Sequence, residues 1–441
     1  MPRDNGTPKI IGLAGKIDTS ETTIYHRHPS QQPPPQTRLI HSFTRMALHG
    51  YTFYHLNQVT AGATLQQAQR QEIIQPKPQS PALLENLTPL RGIGSIFVLI
   101  FHLKFQFPAF NEFILVHTHF FHRTYVWVDF FFILSGFVIN HVYGTNFDKG
   151  ITLRKCRTFI VSRFARIYPL HLVTLAAVVG LFYVNIWFFP SPVTYSFYPN
   201  NPTWASVLLV HSLNLYNSLS WNIVSWSIST EWVAYLIYPA LFVALLRCST
   251  RYILIPISLC IATYAVLAHH YGDLNITYQN GIFRCLAGFI LGICMHRLFQ
   301  KEFLFTVING SVFIAIILLT CWLIHIPQAW TLDVLATLSS AMLVYVAAVY
   351  SGRASIVINN RFTRYIGDMS YSIYMWHNFF ILVLMMIFFE EGERLRFGRD
   401  LTLYECYFYI TLFIVFMIGF SSFSYQYIEK PLRRVAKRLF N

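Results

Sequence analysis

Arg91 and His102 stand eleven positions apart in an apolar run, residues 90–107. At 100° per residue they share one helix face, roughly 16 Å apart along the axis. A guanidinium at one edge of a bilayer and an imidazole near its middle are both costly to place there. Imidazole is the usual general base, because its pKa is near neutrality. A lone membrane histidine also serves as a helix-to-helix hydrogen bonder, but the face shared with Arg91 favours a site.

Four other groups carry comparable chemistry. Asp129 opens Val128-Asp129-Phe130-Phe131-Phe132-Ile133-Leu134-Ser135-Gly136-Phe137. Its carboxylate either supports a neighbouring imidazole or is wetted at the interface, and Ser135-Gly136 admits close approach by a helix or a ligand. Arg154, Lys155, Arg157, Arg163 and Arg166 precede Tyr168-Pro169. That cluster reads as a topology signal, or as a basic shelf whose guanidinium forks match phosphate oxygens, with Arg163 and Arg166 nearest the span. Glu231, in Ser225-Trp226-Ser227-Ile228-Ser229-Thr230-Glu231-Trp232, is a mid-span carboxylate. It is either protonated and hydrogen-bonded, or lines a polar cavity that binds an acceptor or moves a proton. His377 ends Tyr371-Ser372-Ile373-Tyr374-Met375-Trp376-His377 and is the rival imidazole. Tyr374 and Trp376 offer stacking faces for a sugar or pantetheine, although aromatic belts are common in membranes.

No metal is expected. His117, His119 and His122 share a loop without a carboxylate or cysteine partner, and the seven cysteines show neither CxxC nor metal spacing. For the same reason no disulfide framework is read.

The elements that must position these residues are transmembrane helices. Of 441 residues, 54% are hydrophobic and 12% charged, which points to an all-α, polytopic membrane protein in the lipid bilayer. The formal charge of +14 sits in short loops, so it speaks for membrane orientation and against nucleic acid. About ten spans are expected, over 90–107, 125–143, 168–188, 224–246, 252–267, 282–295, 304–324, 332–350, 369–388 and 401–423. Arg154 to Arg166, Arg247, Arg251, Arg297, Lys301, Arg353, Arg361, Arg364 and Lys430 to Arg438 then fall on one side. Arg123, Arg394, Arg396 and Arg399 fall on the other. Both termini are therefore expected in the cytoplasm.

The loop over 189–221 has no Lys or Arg; it is a plain connector or part of an acceptor mouth. No internal repeat is visible, which weighs against many transporter folds. Residues 1–84 are polar, rich in Gln and carry Pro33-Pro34-Pro35. They cannot bury enough surface to fold alone, so a disordered, cytoplasmic tail is expected, with Met46 an alternative start.

Taken in order, these segments resemble the acyltransferase 3 family of integral membrane acyltransferases. The resemblance rests on Leu90-Arg91-Gly92-Ile93 with His102, Phe131-Phe132-Ile133-Leu134-Ser135-Gly136-Phe137, and the stretch from Arg163 to Pro169. It continues through Ser225 to Trp232, Arg284 with Gly288-Phe289, Tyr365-Ile366-Gly367 leading to His377, and Ile428-Glu429-Lys430-Pro431. Thr88-Pro89 departs from a frequent Asp-Gly pair, and Trp127 from a common glycine.

The resemblance implies about ten helices and an acyl-CoA donor, expected to be acetyl-CoA, arriving from the cytoplasm. The acceptor is a carbohydrate hydroxyl of exopolysaccharide, lipopolysaccharide, peptidoglycan or a small glycoside. It implies a bacterial inner membrane, and a chain without the soluble hydrolase-like domain fused to some members. Residues 85–434 would be the acyltransferase domain and 435–441 a basic cytoplasmic tail. The expected catalytic group is His102, Arg91, Glu231 and Asp129. Donor binding is expected from Arg163, Arg166, Ser135, Gly136 and Arg154, and acceptor binding from Arg284, Trp226, Tyr374, Trp376 and His377. A transporter or flippase using the same buried charges is the competing class.

Overall fold

The computed structural model describes residues 84–188, 201–247, 250–387 and 400–440. The tail expected over 1–84, apart from Leu84, lies outside the described residues. So do 189–200 of the long loop and Arg394, Arg396 and Arg399.

Among the described residues every regular element is helical. The helices are α1 (Leu87–Leu103), α2 (Pro108–His117), α3 (Val126–Asp148), α4 (Leu153–Phe188), α5 (Thr203–Val207), α6 (Trp226–Arg247) and α7 (Leu254–Tyr271). They continue as α8 (Gly281–Gln300), α9 (Gly310–His325), α10 (Trp330–Val349), α11 (Arg361–Asp368), α12 (Ser370–Ile387), α13 (Leu403–Ser424) and α14 (Lys430–Phe440). Nine helical stretches among the described residues are long and apolar enough to cross a membrane, and α9, with 16 residues, is a shorter apolar one. The chain is an all-α, multi-pass membrane protein. A helix satisfies every backbone group within the span, and an unpaired group in hydrocarbon would cost several kcal/mol.

Several boundaries differ from the sequence reading. The basic stretch over Arg154 to Arg166 is not a loop. It is the first part of the 36-residue α4, which runs on through Pro169. One lost N–H bond does not stop a helix whose other backbone groups have no alternative partner. Helix α9 starts at Gly310 because the Asn309 side chain caps it, accepting from the Ser311 and Val312 amides. Beyond α13 the chain makes a π-helical turn, Tyr425–Glu429, and continues as α14. Arg123 is not in a wet loop; it is fully buried and paired with Asp333 at 2.5 Å. His102 occupies the last α-helical turn of α1, not its middle, since beyond Leu103 the chain tightens into a 3-10 turn over Lys104–Gln106.

Two glycine contacts set the bundle. Helices α3 and α8 meet backbone to backbone. A Cβ on Gly136 would lie 1.9 Å from the Phe289 carbonyl oxygen, and one on Gly292 would lie 2.0 Å from that of Ile133. Helix α11 is seated on the first turn of α1 in the same way, because a Cβ on Gly367 would lie 2.1 Å from the Thr88 oxygen. That contact brings the Gly367 carbonyl beside Arg91.

The described part of the long loop is packed into the bundle and is not an exposed connector. Tyr168 of α4 donates to the Leu208 carbonyl at 3.1 Å, and Ser229 of α6 donates to the Leu209 carbonyl at 2.7 Å. His171 Nε2 donates to the Ser206 carbonyl at 2.8 Å. The segment therefore doubles back between α4 and α6, with Leu209 buried at φ +57° at its tip. Irregular backbone among transmembrane helices is tolerated where protein or a cavity surrounds it.

The α3–α8 contact makes a stability prediction. Gly136→Ala should destabilise the protein by about 1–3 kcal/mol, because a backbone carbonyl cannot step aside. Gly419→Ala, whose Cβ would meet open space, should not lower stability. Thermal melts of both variants in detergent check this, and equal melting temperatures would refute it.

Candidate active site

A cavity of about 180 Å³ opens between α1, α3, α4, α6 and α12. Its polar wall is built by Arg91, Arg163, Arg166, Glu231, Tyr371 and Tyr374, with Ser135, Ser227, Tyr235 and Ser370 between them. Phe131, Phe132, Val128, Val138 and Ile139 supply its apolar side.

Each polar residue is held by its neighbours. Arg91 Nη2 and Nε donate to the Gly367 carbonyl at 2.7 and 3.2 Å, and Nε also reaches Ser370 Oγ at 2.9 Å. Arg163 Nη2 donates to the Tyr143 hydroxyl at 3.0 Å, its guanidinium lying over that ring, while its buried Nε has no partner. Arg166 pairs with Glu429 at 2.5 Å and lies over the Tyr371 ring. Glu429 is buried at the end of the π-helical turn and also accepts from Ser372 Oγ at 2.8 Å. Single π turns are frequent at functional sites, where they re-aim one side chain. Glu231 accepts from the Tyr235 hydroxyl at 2.6 Å, and Tyr235 meets Ser135 Oγ at 2.9 Å.

Arg91 and Arg163 are partly buried and, unlike Arg166 on the same wall, have no carboxylate within 4.0 Å among the described residues. A guanidinium on a cavity wall without a close counter-ion is suited to an anionic ligand.

His102 does not line this cavity. Its ring packs against that of His377, centroids 5.1 Å apart at 36°. His377 in turn contacts Tyr374, which lines the cavity and bonds Ser227 Oγ at 2.7 Å. The imidazole pair thus adjoins the cavity at the end of α1 farthest from Arg91. His377 is fully buried; its Nδ1 lies 3.3 Å from the Ile373 carbonyl, which can only accept. Nδ1 therefore carries the proton, and Nε2 is left as a lone-pair acceptor with no partner among the described residues.

Other expected site residues sit elsewhere. Asp129 and Arg284 form a fully buried bidentate pair, with hydrogen bonds of 2.8 and 2.7 Å, and Arg284 also donates to the Ile276 and Tyr125 carbonyls. Neither lines the cavity. Trp226 lies buried against the Arg284 guanidinium. Trp376 is buried with Nε1 donating to Ser424 Oγ at 2.8 Å. Gly136 is occupied by the α3–α8 contact, and Arg154 is exposed away from the cavity. The sequence reading gave no role to Glu429, Tyr143 or Tyr235, and met Tyr371 only as part of the aromatic run that ends at His377. Glu429 had a visible signal, as an acid between an apolar span and a basic tail; Tyr143 and Tyr235 had none.

A helical membrane bundle with a basic cavity beside paired imidazoles is a membrane enzyme's architecture more than a scaffold's. The family model described as "Acyltransferase domain" (acyltransferase 3) matches residues 85–429, and the chain belongs to this family. A Staphylococcus aureus protein named "Putative O-acetyltransferase" is 21% identical over 81% of this chain and 58% of its own length. A Bacillus subtilis protein named "Putative peptidoglycan O-acetyltransferase" is 23% identical over 83% of this chain and 57% of its own. "Protein 2 in picA locus" of Rhizobium radiobacter is 33% identical over 22% of this chain and 44% of its own length. The chain spans under two thirds of the length of these relatives. No solved structure matches it.

The Asp129–Arg284 pair generates a further prediction. Asp129→Ala leaves a buried guanidinium unpaired and should cost about 3–5 kcal/mol, seen as loss of monodisperse protein on size exclusion. Asp129→Leu combined with Arg284→Met should restore folded protein. Full yield of Asp129→Ala would show that the pair is not holding α3 to α8.

Proposed function

We propose that this chain is an O-acyltransferase domain that moves an acyl group, acetyl by preference, from acyl-CoA to a hydroxyl of a cell-surface or exported carbohydrate. The observation that carries this reading is the pair of guanidinium groups, Arg91 and Arg163, that have no carboxylate within 4.0 Å among the described residues and stand on the wall of the cavity beside two imidazoles. Coenzyme A brings phosphates and a thioester, which are what such a wall would bind and polarise. The name of the Bacillus subtilis relative supports a glycan acceptor, and a small exported glycoside is the alternative.

In this reading Arg163 and Arg166 hold donor phosphates, with Arg154 outside the cavity as a long-range attraction. Arg91 faces the thioester oxygen or a phosphate. Ser135 and Glu231 shape the wall, and Asp129 and Arg284 fix the helices that carry it. His102 takes the acceptor proton as the hydroxyl oxygen bonds to the thioester carbon. The carbon–sulfur bond breaks, and the proton passes from His102 to the departing sulfur, giving coenzyme A. An acyl-His102 intermediate is the mechanistic competitor; rapid quench with labelled donor separates the two, since direct transfer leaves no label on protein.

One observation favours a second assignment of the base. The bond from His377 to Ile373 fixes a tautomer whose Nε2 is a free acceptor, so His377 can take the same proton. The domain extends over 85–434 with a basic tail at 435–441, both termini in the cytoplasm and the donor entering from there. The bacterial inner membrane is the proposed location. A transporter would move solute without releasing coenzyme A, and family membership weighs against it.

The test is acetyl-CoA consumption by purified protein together with O-acetyl content of surface glycans in cells. His102→Ala should lower transfer by about 10²–10⁴-fold with the affinity for coenzyme A kept. Arg163→Ala and Arg166→Ala should each raise KM for acetyl-CoA by roughly tenfold or more, the worth of a charge-assisted contact. Wild-type turnover in His102→Ala, with loss in His377→Ala, would move the base to His377. Solute flux without coenzyme A release would overturn the enzyme reading.

A further inference from the structure

Residues 435–440 of the expected basic tail belong to helix α14, and that helix has a fixed place. It leaves the π-helical turn at Glu429, which pairs with Arg166 on the cavity wall. Its far end meets the first part of α4. Arg157 Nη2 donates to the Phe440 carbonyl at 3.2 Å, and the Phe440 ring lies 5.2 Å from that of Phe164. Helix α14 therefore runs antiparallel along the basic part of α4. Ala436 is the residue it buries, and so small a side chain lets the two helices approach closely.

Charge is the second feature. Residues 153–166 carry five Lys and Arg, residues 430–440 carry five more, and neither stretch contains Asp or Glu. Topology explains cations on one side of a membrane, but not their grouping within that side. Arg433 stands one helical turn beyond Glu429 and within charge range of Arg163 and Arg166. Lys437 follows one turn later on the same face. Both are exposed, and neither has a carboxylate within 4.0 Å among the described residues. Like charges four positions apart on a helix repel, so this arrangement is stabilised by a multivalent anion.

Size is the third. The cavity holds about 180 Å³, below the roughly 300–1,000 Å³ of a pocket that encloses a drug-sized ligand. Coenzyme A is larger than such a ligand. An acyl-CoA whose thioester enters the cavity must therefore leave its nucleotide end outside. Arg163 and Arg166 place the phosphate-binding wall where α14 begins. Beyond its diphosphate, the nucleotide carries a 3′-phosphomonoester, a group of charge about −1.5 to −2 at neutral pH.

Resting on the O-acyltransferase reading, we propose that α14 completes the donor site, with Arg433 and Lys437 holding the 3′-phosphate of acyl-CoA outside the cavity. The choice of coenzyme A over its 3′-dephospho form then resides in α14, while Arg91 and the imidazoles meet the thioester end.

The test compares acetyl-CoA with acetyl-3′-dephospho-CoA on the purified full chain in detergent, by dissociation constants and steady-state kinetics. Wild type should favour acetyl-CoA by about tenfold or more in KM, as expected for one charge-assisted contact. Arg433→Ala should raise KM for acetyl-CoA by about tenfold, leave that for the dephospho donor within about twofold, and keep kcat for both. Lys437→Ala should act in the same sense to a smaller degree. Arg434→Ala, whose guanidinium turns back to the Lys430 carbonyl at 3.4 Å, should keep the preference. Equal KM values for the two donors in wild type would overturn the proposal and leave the enzyme reading standing. So would a preference kept when Arg433→Ala and Lys437→Ala are combined. Equal weakening of both donors by Arg433→Ala would also overturn it, giving Arg433 a structural role. The same variants in phosphatidylcholine vesicles, with and without phosphatidylglycerol, distinguish the source of the phosphate. An effect of Arg433→Ala confined to the anionic vesicles would overturn the proposal in favour of a lipid head group. Binding of neither donor by wild type would overturn the acyl-CoA reading and this proposal with it.

Discussion

Unpaired charge is costly among transmembrane helices, and that constraint organises this molecule. Three arginines are neutralised by carboxylates brought from distant parts of the chain: Arg123 by Asp333, Arg284 by Asp129, and Arg166 by Glu429. The first two pairs are fully buried and further satisfied by backbone carbonyls, so they are closed structural joints. The third sits on the cavity wall, where Arg166 keeps part of its surface open and Glu429 does not. Arg91 and Arg163 complete the series with no carboxylate within 4.0 Å among the described residues. The gradient from closed joint to open cation runs toward the cavity, and it separates the arginines that hold the bundle from those that can meet a ligand.

The distinction explains what was legible in the sequence. Arg91, Arg163, Arg166 and Glu231 were chosen because charge in an apolar context is improbable without a use, and all four line one cavity. The same criterion also selected Asp129 and Arg284, which answer the same cost by pairing with each other. Sequence cannot tell these outcomes apart, because partners 155 positions apart are joined only by the fold. Asp333 and Arg123 were missed for the converse reason. One lay in an apolar run and the other in a presumed loop, and nothing local ties them. The fold class was legible throughout, since lipid forces helices wherever long apolar runs occur.

Helix ends were the weaker part of the reading. Phe105 and Phe107 continue the apolar pattern past Leu103 and put His102 near mid-span, whereas α1 tightens there into a 3-10 turn, Lys104–Gln106, and His102 sits in the final α-helical turn. Conversely, the arginines before Tyr168 suggested a loop, while α4 continues through them and carries Arg163 and Arg166 alongside the cavity. In both cases the composition was read correctly and the boundary was misplaced. Asn309 and Thr402 cap their helices, and Thr152 does the same for α4 by accepting from the Lys155 amide at 3.3 Å, a signal that the run of basic residues hid; α1 has no side-chain cap.

His102 at the end of α1 also changes the geometry of any reaction. Had the imidazole stood beside Glu231, the cavity alone would have held every group the proposed reaction needs. With the histidines beyond Tyr374, the proposed base instead adjoins the cavity without lining it. Tyr374, fixed by Ser227 and by the Val224 carbonyl, forms the partition between the two. On the proposed reading, a base set apart from the charged cavity by a fixed tyrosine suits transfer between two separately bound substrates better than it suits the passage of one solute.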